Sequence, residues 1–300
     1  MLKKVKQWQE NKRAKIIDYI GAFGKLPVQS EFIKHAFSDP FTRELDLWYQ
    51  RAYSKLNSNM GEFGKALFAD MPTYQFMYYS PKTLPVIGSA FSSRDASGRR
   101  YPFVTLRRLN HPMAVEFLYA VPLLFGDYLQ ATENFYKACN VDQSLSEASH
   151  QIRQLALQSY PLMKLPALES ALKKLNHIEP RGFHHLLQLD NPSLSFDSFE
   201  KQLNTLPDQL KQAANNKQIT KYQFILPQSQ ALRLFATYYF QLINQAFSLK
   251  EKTWQLYWQY GGKQHLPQML LTEKPLTPDE WLVFVSQQQV LENCQTFKIE

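Results

Sequence analysis

The polar stretch Ser92-Ser93-Arg94-Asp95-Ala96-Ser97-Gly98-Arg99-Arg100 sets one carboxylate among three guanidinium groups. Such a cluster can hold an anion, or it can tie its own loop together if Asp95 pairs with Arg99 across the turn. Spacing alone leaves both uses open. A second stretch, Gly21-Ala22-Phe23-Gly24-Lys25-Leu26-Pro27, places a lysine directly after a glycine pair. It falls two residues short of a phosphate loop, and Leu26 stands where a magnesium-ligating hydroxyl would be needed. A tight strand-to-loop turn with a solvated Lys25 fits that spacing better. The seven histidines, His35, His111, His150, His177, His184, His185 and His265, include no i, i+4 pair and no carboxylate-histidine spacing of a zinc enzyme. Neighbouring ring positions point apart, so His184 and His185 read as one partly buried and one surface residue. No serine lies in a G-x-S-x-G elbow, and Cys139 and Cys294 have neither a nucleophile context nor the spacing of a metal knuckle. Catalytic residues, cofactors and metals are therefore all expected to be none.

Both stretches need elements to hold them. Ile16, Ile17, Tyr19, Ile20 and Phe23 predict a first strand stopped by Gly21 and Gly24, and Gly24 to Pro27 a turn leading toward Phe32 and Ile33. Ser38-Asp39-Pro40 predicts a helix start, with proline at a position that sacrifices no hydrogen bond. Phe41, Leu45, Trp48, Ala52 and Leu56 then form one buried stripe. Tyr74–Tyr79, Leu84–Phe91 and Tyr101–Leu106 predict an antiparallel meander in which Ser92 to Arg100 is a hairpin loop. From Pro122 to Ala214 helical patterns dominate, with prolines at 161, 166, 180, 192 and 207 marking breaks. Tyr222–Leu226 predicts a strand, Gln228–Leu249 a helix, and Thr253–Tyr260 and Leu266–Leu271 two further strands. A last helix is capped by Thr277 with Pro278 at its first position. Trp48, Trp254 and Trp258 are expected to be packing residues. The fold class is α+β (mixed α/β): a largely antiparallel sheet flanked by helices, with a helical middle block.

At 300 residues, with 44% hydrophobic and 20% charged, the chain can bury a real core and is neither disordered nor fibrous. Its net charge of +8 is unevenly spread: Lys3, Lys4, Lys6, Lys12, Arg13 and Lys15 against Glu10 place most of it in the first fifteen residues. The nearly neutral remainder argues against nucleic acid as a partner. Residues 1–14 predict a basic helical extension with Leu2, Val5 and Trp8 on one side, too short to be stable unless it docks. Residues 15–300 are expected to form a single α/β domain containing a helical block at about 134–220. The longest apolar run, Phe117–Phe125, is interrupted by Pro122, so no transmembrane segment is expected, and neither is a secretory signal. The expected location is cytoplasmic.

The two stretches together resemble the TagF proteins associated with bacterial type VI secretion. Gly21 to Pro27, then Ser30-Glu31-Phe32 and Trp48, is similar to that family's opening G-x-x-GKLP, its G-D-F and its tryptophan-bearing helix. Ser92 to Phe103 is similar to the family's S-x-D-R-x-G-R-x-x-P-L stretch. Trp254-Gln255-Leu256-Tyr257-Trp258 followed by Gly261 and Gly262 resembles a late aromatic strand and glycine turn. This chain departs in having Ser30-Glu31 for G-D, Ala96 for the arginine after aspartate, and a longer, more helical segment at about 134–220. The resemblance implies a mixed sheet flanked by helices. It also implies a non-enzymatic cytoplasmic regulator that represses assembly of the secretion apparatus after translation, by binding and sequestering its forkhead-associated scaffold protein. Motifs concentrated in loops make Gly24, Lys25, Leu26, Pro27, Glu31, Arg94, Asp95, Gly98, Arg99 and Arg100 the candidates for the protein interface. Two other classes stand beside this one: a nucleotide- or small-molecule-binding enzyme, and a membrane-surface adaptor using the basic residues 2–14.

Overall fold

The computed structural model describes residues 19–36, 38–110, 118–139, 144–156, 180–188, 195–216, 220–226, 232–247, 249–259, 267–286, 291 and 294–298. The predicted basic helix at 2–14 and the glycine turn at 261–262 lie outside these residues, as do the prolines at 161, 166 and 192.

The chain opens with β1 (Tyr19–Gly24) and the short β2 (Ile33–His35), followed by α1 (Pro40–Asp70). Asp39 caps α1 by accepting from the Thr42 amide at 3.0 Å, and its other oxygen holds the Arg108 guanidinium at 2.6 Å. The helix kinks at Gly61. Strands β3 (Tyr74–Ser80), β4 (Thr83–Phe91) and β5 (Phe103–Arg108) form the expected antiparallel meander. The helical block contributes α2 (Val121–Leu124), α3 (Gly126–Ala138), α4 (Leu145–Ala156), α5 (Pro180–Gln188) and α6 (Phe196–Asn215). Then come β6 (Lys221–Ile225), α7 (Leu232–Phe247), β7 (Trp254–Gln259), β8 (Gln268–Thr272), α8 (Pro278–Ser286) and β9 (Cys294–Lys298).

All nine strands belong to one sheet in the order β2-β1-β5-β4-β3-β7-β8-β6-β9. Every pairing is antiparallel except β6 with β9. The first and last parts of the chain are joined within it, because β3 pairs with β7. Period-two alternation sends side chains to opposite faces. On one face Ile20, Ala22, Met77, Ile87, Phe103, Trp254 and Trp258 pack beneath α2, α3, α4, α6 and α7. On the other, Phe23, Tyr74, Phe76, Val86, Val104 and Tyr257 pack beneath α1 and α8. Trp254 and Trp258 are fully buried, as their four-residue spacing along one strand requires.

Several expectations need correction. Gly21 does not stop β1 but lies inside it, paired to Leu106. Pro180 begins a helix, while Pro207 sits inside α6. There the burial of Phe199, Leu203, Leu206 and Leu210 outweighs the hydrogen bond that proline forfeits. The α1 stripe is uneven: Ala52 and Leu56 are buried, whereas Phe41, Leu45 and Trp48 are half-buried. His184 is buried and His185 exposed, as the adjacent pair predicts. The Thr277 cap forms in full, with the Glu280 amide donating to Thr277 Oγ1 and the Thr277 amide donating to the Glu280 carboxylate at 2.7 Å.

Candidate functional site

The two motif stretches are seventy residues apart in sequence, and β1 pairing with β5 brings them together. The register places Phe23 opposite Val104, so the chain leaving β1 runs beside the chain entering β5. Gly24 marks the crossing. Its φ is +122°, and a Cβ there would lie 2.0 Å from the Pro102 carbonyl oxygen and 2.8 Å from Phe103 Cα. Only glycine can turn here, since the two backbones approach too closely for any side chain. Leu26, just beyond, is fully buried and anchors the turn to the core.

The turn delivers Lys25 to Asp95. The Asp95 side chain is completely enclosed, and its carboxylate accepts from five donors. Oδ1 takes the Ser97 amide at 3.0 Å, the Ser97 hydroxyl at 2.7 Å and the Arg99 amide at 2.8 Å. Oδ2 takes Arg99 Nε at 2.8 Å and the Lys25 ammonium. Burial alone would push the Asp95 carboxyl up. The donors from Lys25, Ser97 and Arg99 more than offset it and hold the group well below the usual carboxylate range.

Further bonds lock the two loops together. Arg99 Nη2 donates to the Ser30 carbonyl at 2.5 Å, and the Ala96 amide to the Gln29 carbonyl at 3.0 Å. Within the hairpin, the Asp95 amide donates to Arg99 O at 2.9 Å and Arg94 bridges Arg100. Gly98 closes the turn at φ +84° with open space around it. At the base, the Tyr101 hydroxyl donates to Asp46 Oδ1 at 2.7 Å, tying the hairpin to α1.

The candidates thus divide by depth. Gly24, Leu26 and Asp95 are buried, and Lys25 is mostly enclosed, its side chain 15% exposed. Pro27 and Arg100 are half-buried, while Glu31, Arg94, Gly98 and Arg99 face solvent. Lys25 is not the solvated lysine its glycine context suggests, because the carboxylate that claims it is supplied from the other stretch. The Asp95–Arg99 pairing across the turn forms, and Lys25 and the Ser30 carbonyl join it. Chemically the assembly is a clamp in which two cations, Lys25 and Arg99, share one enclosed carboxylate, beneath a cationic outer surface. Among the described residues no group of His, Cys, Asp and Glu is placed to hold a metal ion, and no helix is long and apolar enough to cross a membrane.

Sequence reasoning missed the aromatic assembly behind the clamp. Tyr49 and Tyr74 share a hydrogen bond, Trp281 Nε1 donates to Tyr74 at 3.1 Å, and Trp48 Nε1 donates to the Leu276 carbonyl at 2.7 Å. The intervals of α1 mark Trp48 as apolar, but nothing in them announces its partner 228 residues away.

No curated protein matches the chain. Among solved structures, it is similar to the crystal structure of PA0076 from Pseudomonas aeruginosa PAO1. The TM-score is 0.53 at 13% identity, covering 91% of this chain and 96% of the other. At that identity the likeness is one of fold. Both halves of the clamp, the Gly24–Glu31 turn and the Arg94–Arg100 hairpin, lie within a segment that a family model recognises; the late aromatic strand β7 lies beyond it. That segment, residues 21–155, matches the TagF N-terminal domain, type VI secretion system-associated.

Proposed function

We propose that the chain is a regulator of a bacterial type VI secretion system that acts by binding. It captures the forkhead-associated scaffold protein and withholds it from the assembling apparatus, in the cytoplasm and without chemistry of its own. The family match over residues 21–155 supports the association with secretion. The observation that carries the binding surface is the clamp itself: two loops fused through one enclosed carboxylate, so that the backbone presenting the outer side chains is held in one shape.

In this reading the ten candidates share the work by depth. Gly24, Lys25, Leu26 and Asp95 set the shape of the surface from beneath, while Glu31, Arg94, Gly98 and Arg99 meet the partner and Pro27 and Arg100 rim it. A preformed surface loses little conformational entropy on binding, which favours tight capture. Sequestration then needs only a stoichiometric regulator and an affinity tighter than the cellular concentration of its target.

The test is affinity capture from cells carrying an intact secretion gene cluster, followed by mass spectrometry. The scaffold protein should be the principal prey of the wild-type chain, and Arg94→Glu should reduce its recovery about tenfold or more, as reversing an interface charge does. Equal recovery with Arg94→Glu would remove the hairpin from the interface. Absence of the scaffold from the prey would refute the proposal.

A further inference from the structure

The α1 face of the sheet carries a hollow that neither motif stretch lines. It has a volume of about 340 Å³, large enough for one big side chain or a small ligand. Phe41, Leu45 and Trp48 of α1, Tyr78 of β3 and Tyr257 of β7 make its walls. Phe41, Leu45, Trp48 and Tyr78 are left half-buried. Leu47, at the rim, is 50% exposed. Two of the polar handles in the walls are engaged. Trp48 Nε1 donates to Leu276 O, and the Tyr257 hydroxyl donates to Gln255. What the hollow offers an occupant is mainly ring faces and aliphatic surface, together with the Tyr78 hydroxyl, and with one carboxylate, Glu44, and one guanidinium, Arg51, among its lining residues.

A segment of this same chain has the matching character and the right attachment point. Residues 1–18 lead directly into β1 at Tyr19. Tyr19 is in register with Arg108, Arg108 with Val86, and Val86 with Tyr78. Tyr19 therefore stands three strand spacings, about 14 Å, from the wall of the hollow. Both tyrosines pack against the α1-side core, so they share a face of the sheet. Trp8 is the only large aromatic before Tyr19. Ten residues lie between the two, and the steps from one to the other span about 16 Å as a helix and more when extended, so either conformation reaches the hollow. Lysines at 4, 6 and 12 surround Trp8 and Glu10 lies two residues on, which supplies an opposite charge for both Glu44 and Arg51.

We propose that residues 2–14 dock on this face in cis, with Trp8 seated in the hollow between α1, β3 and β7 and the basic side chains beside it over Glu44. The segment then covers apolar surface that α1 and α8 leave open, and the short basic stretch gains the docking partner it requires to be ordered.

Site-specific photocrosslinking of the full chain tests this. p-Benzoylphenylalanine replaces Trp8, unlabelled and nitrogen-15-labelled chains are mixed in equal amounts, and the irradiated products are mapped by mass spectrometry. The expected products join position 8 to peptides spanning 41–51, 76–78 or 255–257 and carry a single isotope label. Leu47→Lys, on the exposed rim where it leaves the melting temperature unchanged, should lower their yield about fivefold through lost apolar contact and added repulsion. Products of mixed label would assign the hollow to a second copy and overturn docking in cis. Cross-links confined to other peptides, no cross-linked product, or a yield indifferent to Leu47→Lys would equally overturn it.

Discussion

Asp95→Ala is the substitution that weighs the clamp most directly. The change strips five donors of their acceptor at once. The Arg99 side chain is 63% exposed and rehydrates, so its share is small after solvent screening. Lys25 cannot do the same, because its side chain is only 15% exposed and its ammonium is left without its counter-charge among other orphaned donors. Removing one partner of a buried pair costs about 3–5 kcal/mol, most of it the uncompensated charge. For 300 residues, an unfolding entropy of about 2 cal/mol/K per residue turns that loss into a fall in Tm of roughly 5–8 °C. Thermal and urea unfolding followed by circular dichroism measures it. Lys25→Met combined with Asp95→Ala should cost less than the two single changes added together, by about 1–3 kcal/mol, since the second removal no longer orphans a charge. The pH dependence carries the same signature. A carboxyl held below its ordinary 3.8 stabilises the fold fully above that pH, and the contribution drains away as pH falls through the lower folded value. Wild-type protein should therefore lose stability from about pH 4 downward more steeply than Asp95→Asn, while the two run parallel at neutral pH. A melting temperature for Asp95→Ala within 1 °C of wild type, by contrast with the roughly 5 °C minimum worked above, would show that the carboxylate holds nothing together.

Other consequences follow from single positions. Gly24→Ala should destabilise by about 3 kcal/mol or more in urea unfolding, since its methyl group meets the Pro102 carbonyl and its φ is left-handed. Thr277→Ala should cost about 1 kcal/mol by removing half of the α8 capping box. Burial pushes the Cys139 thiol up to about 12; it pushes Cys294 up to about 11 despite a partly offsetting contact with Gln223 and Lys221. Both thiols should therefore react with Ellman's reagent at pH 8 far more slowly in the native chain than in urea, and rapid native labelling would contradict the packing around them.

Much of this architecture is legible in local sequence, and what is missed has a common cause. The Asp39-Pro40 start of α1, the three-strand meander and the Thr277-Glu280 cap are encoded within a few residues, so spacing reveals them. β9 is not readable in the same way. Cys294-Gln-Thr-Phe-Lys298 is a sheet-edge strand whose Phe297 is buried while Thr296 is exposed, and five residues with so little apolar content carry almost no period-two signal. Pro207 misleads because a local rule yields to the burial of four apolar side chains on α6. The clamp sits between these cases. Its residue types stand out in both stretches, and the Asp95–Arg99 half lies within one hairpin. Lys25 joins only because β1 and β5 align Phe23 with Val104, a pairing that no local spacing encodes. The hollow beside Trp48 is equally invisible, since strands from both ends of the chain build its walls.

The central claim, that this molecule works by stoichiometric occupation of a scaffold protein and not by turnover, is tested most directly by titrating the purified chain into the purified forkhead-associated protein in a calorimeter. The expected result is saturable binding at a fixed ratio, with an affinity in the nanomolar range appropriate to sequestration, unchanged by added nucleotide and weakened by Arg94→Glu while the fold stays intact. Absence of heat and of a complex on size exclusion, with both proteins folded and at concentrations about a thousandfold above that dissociation constant, would contradict it.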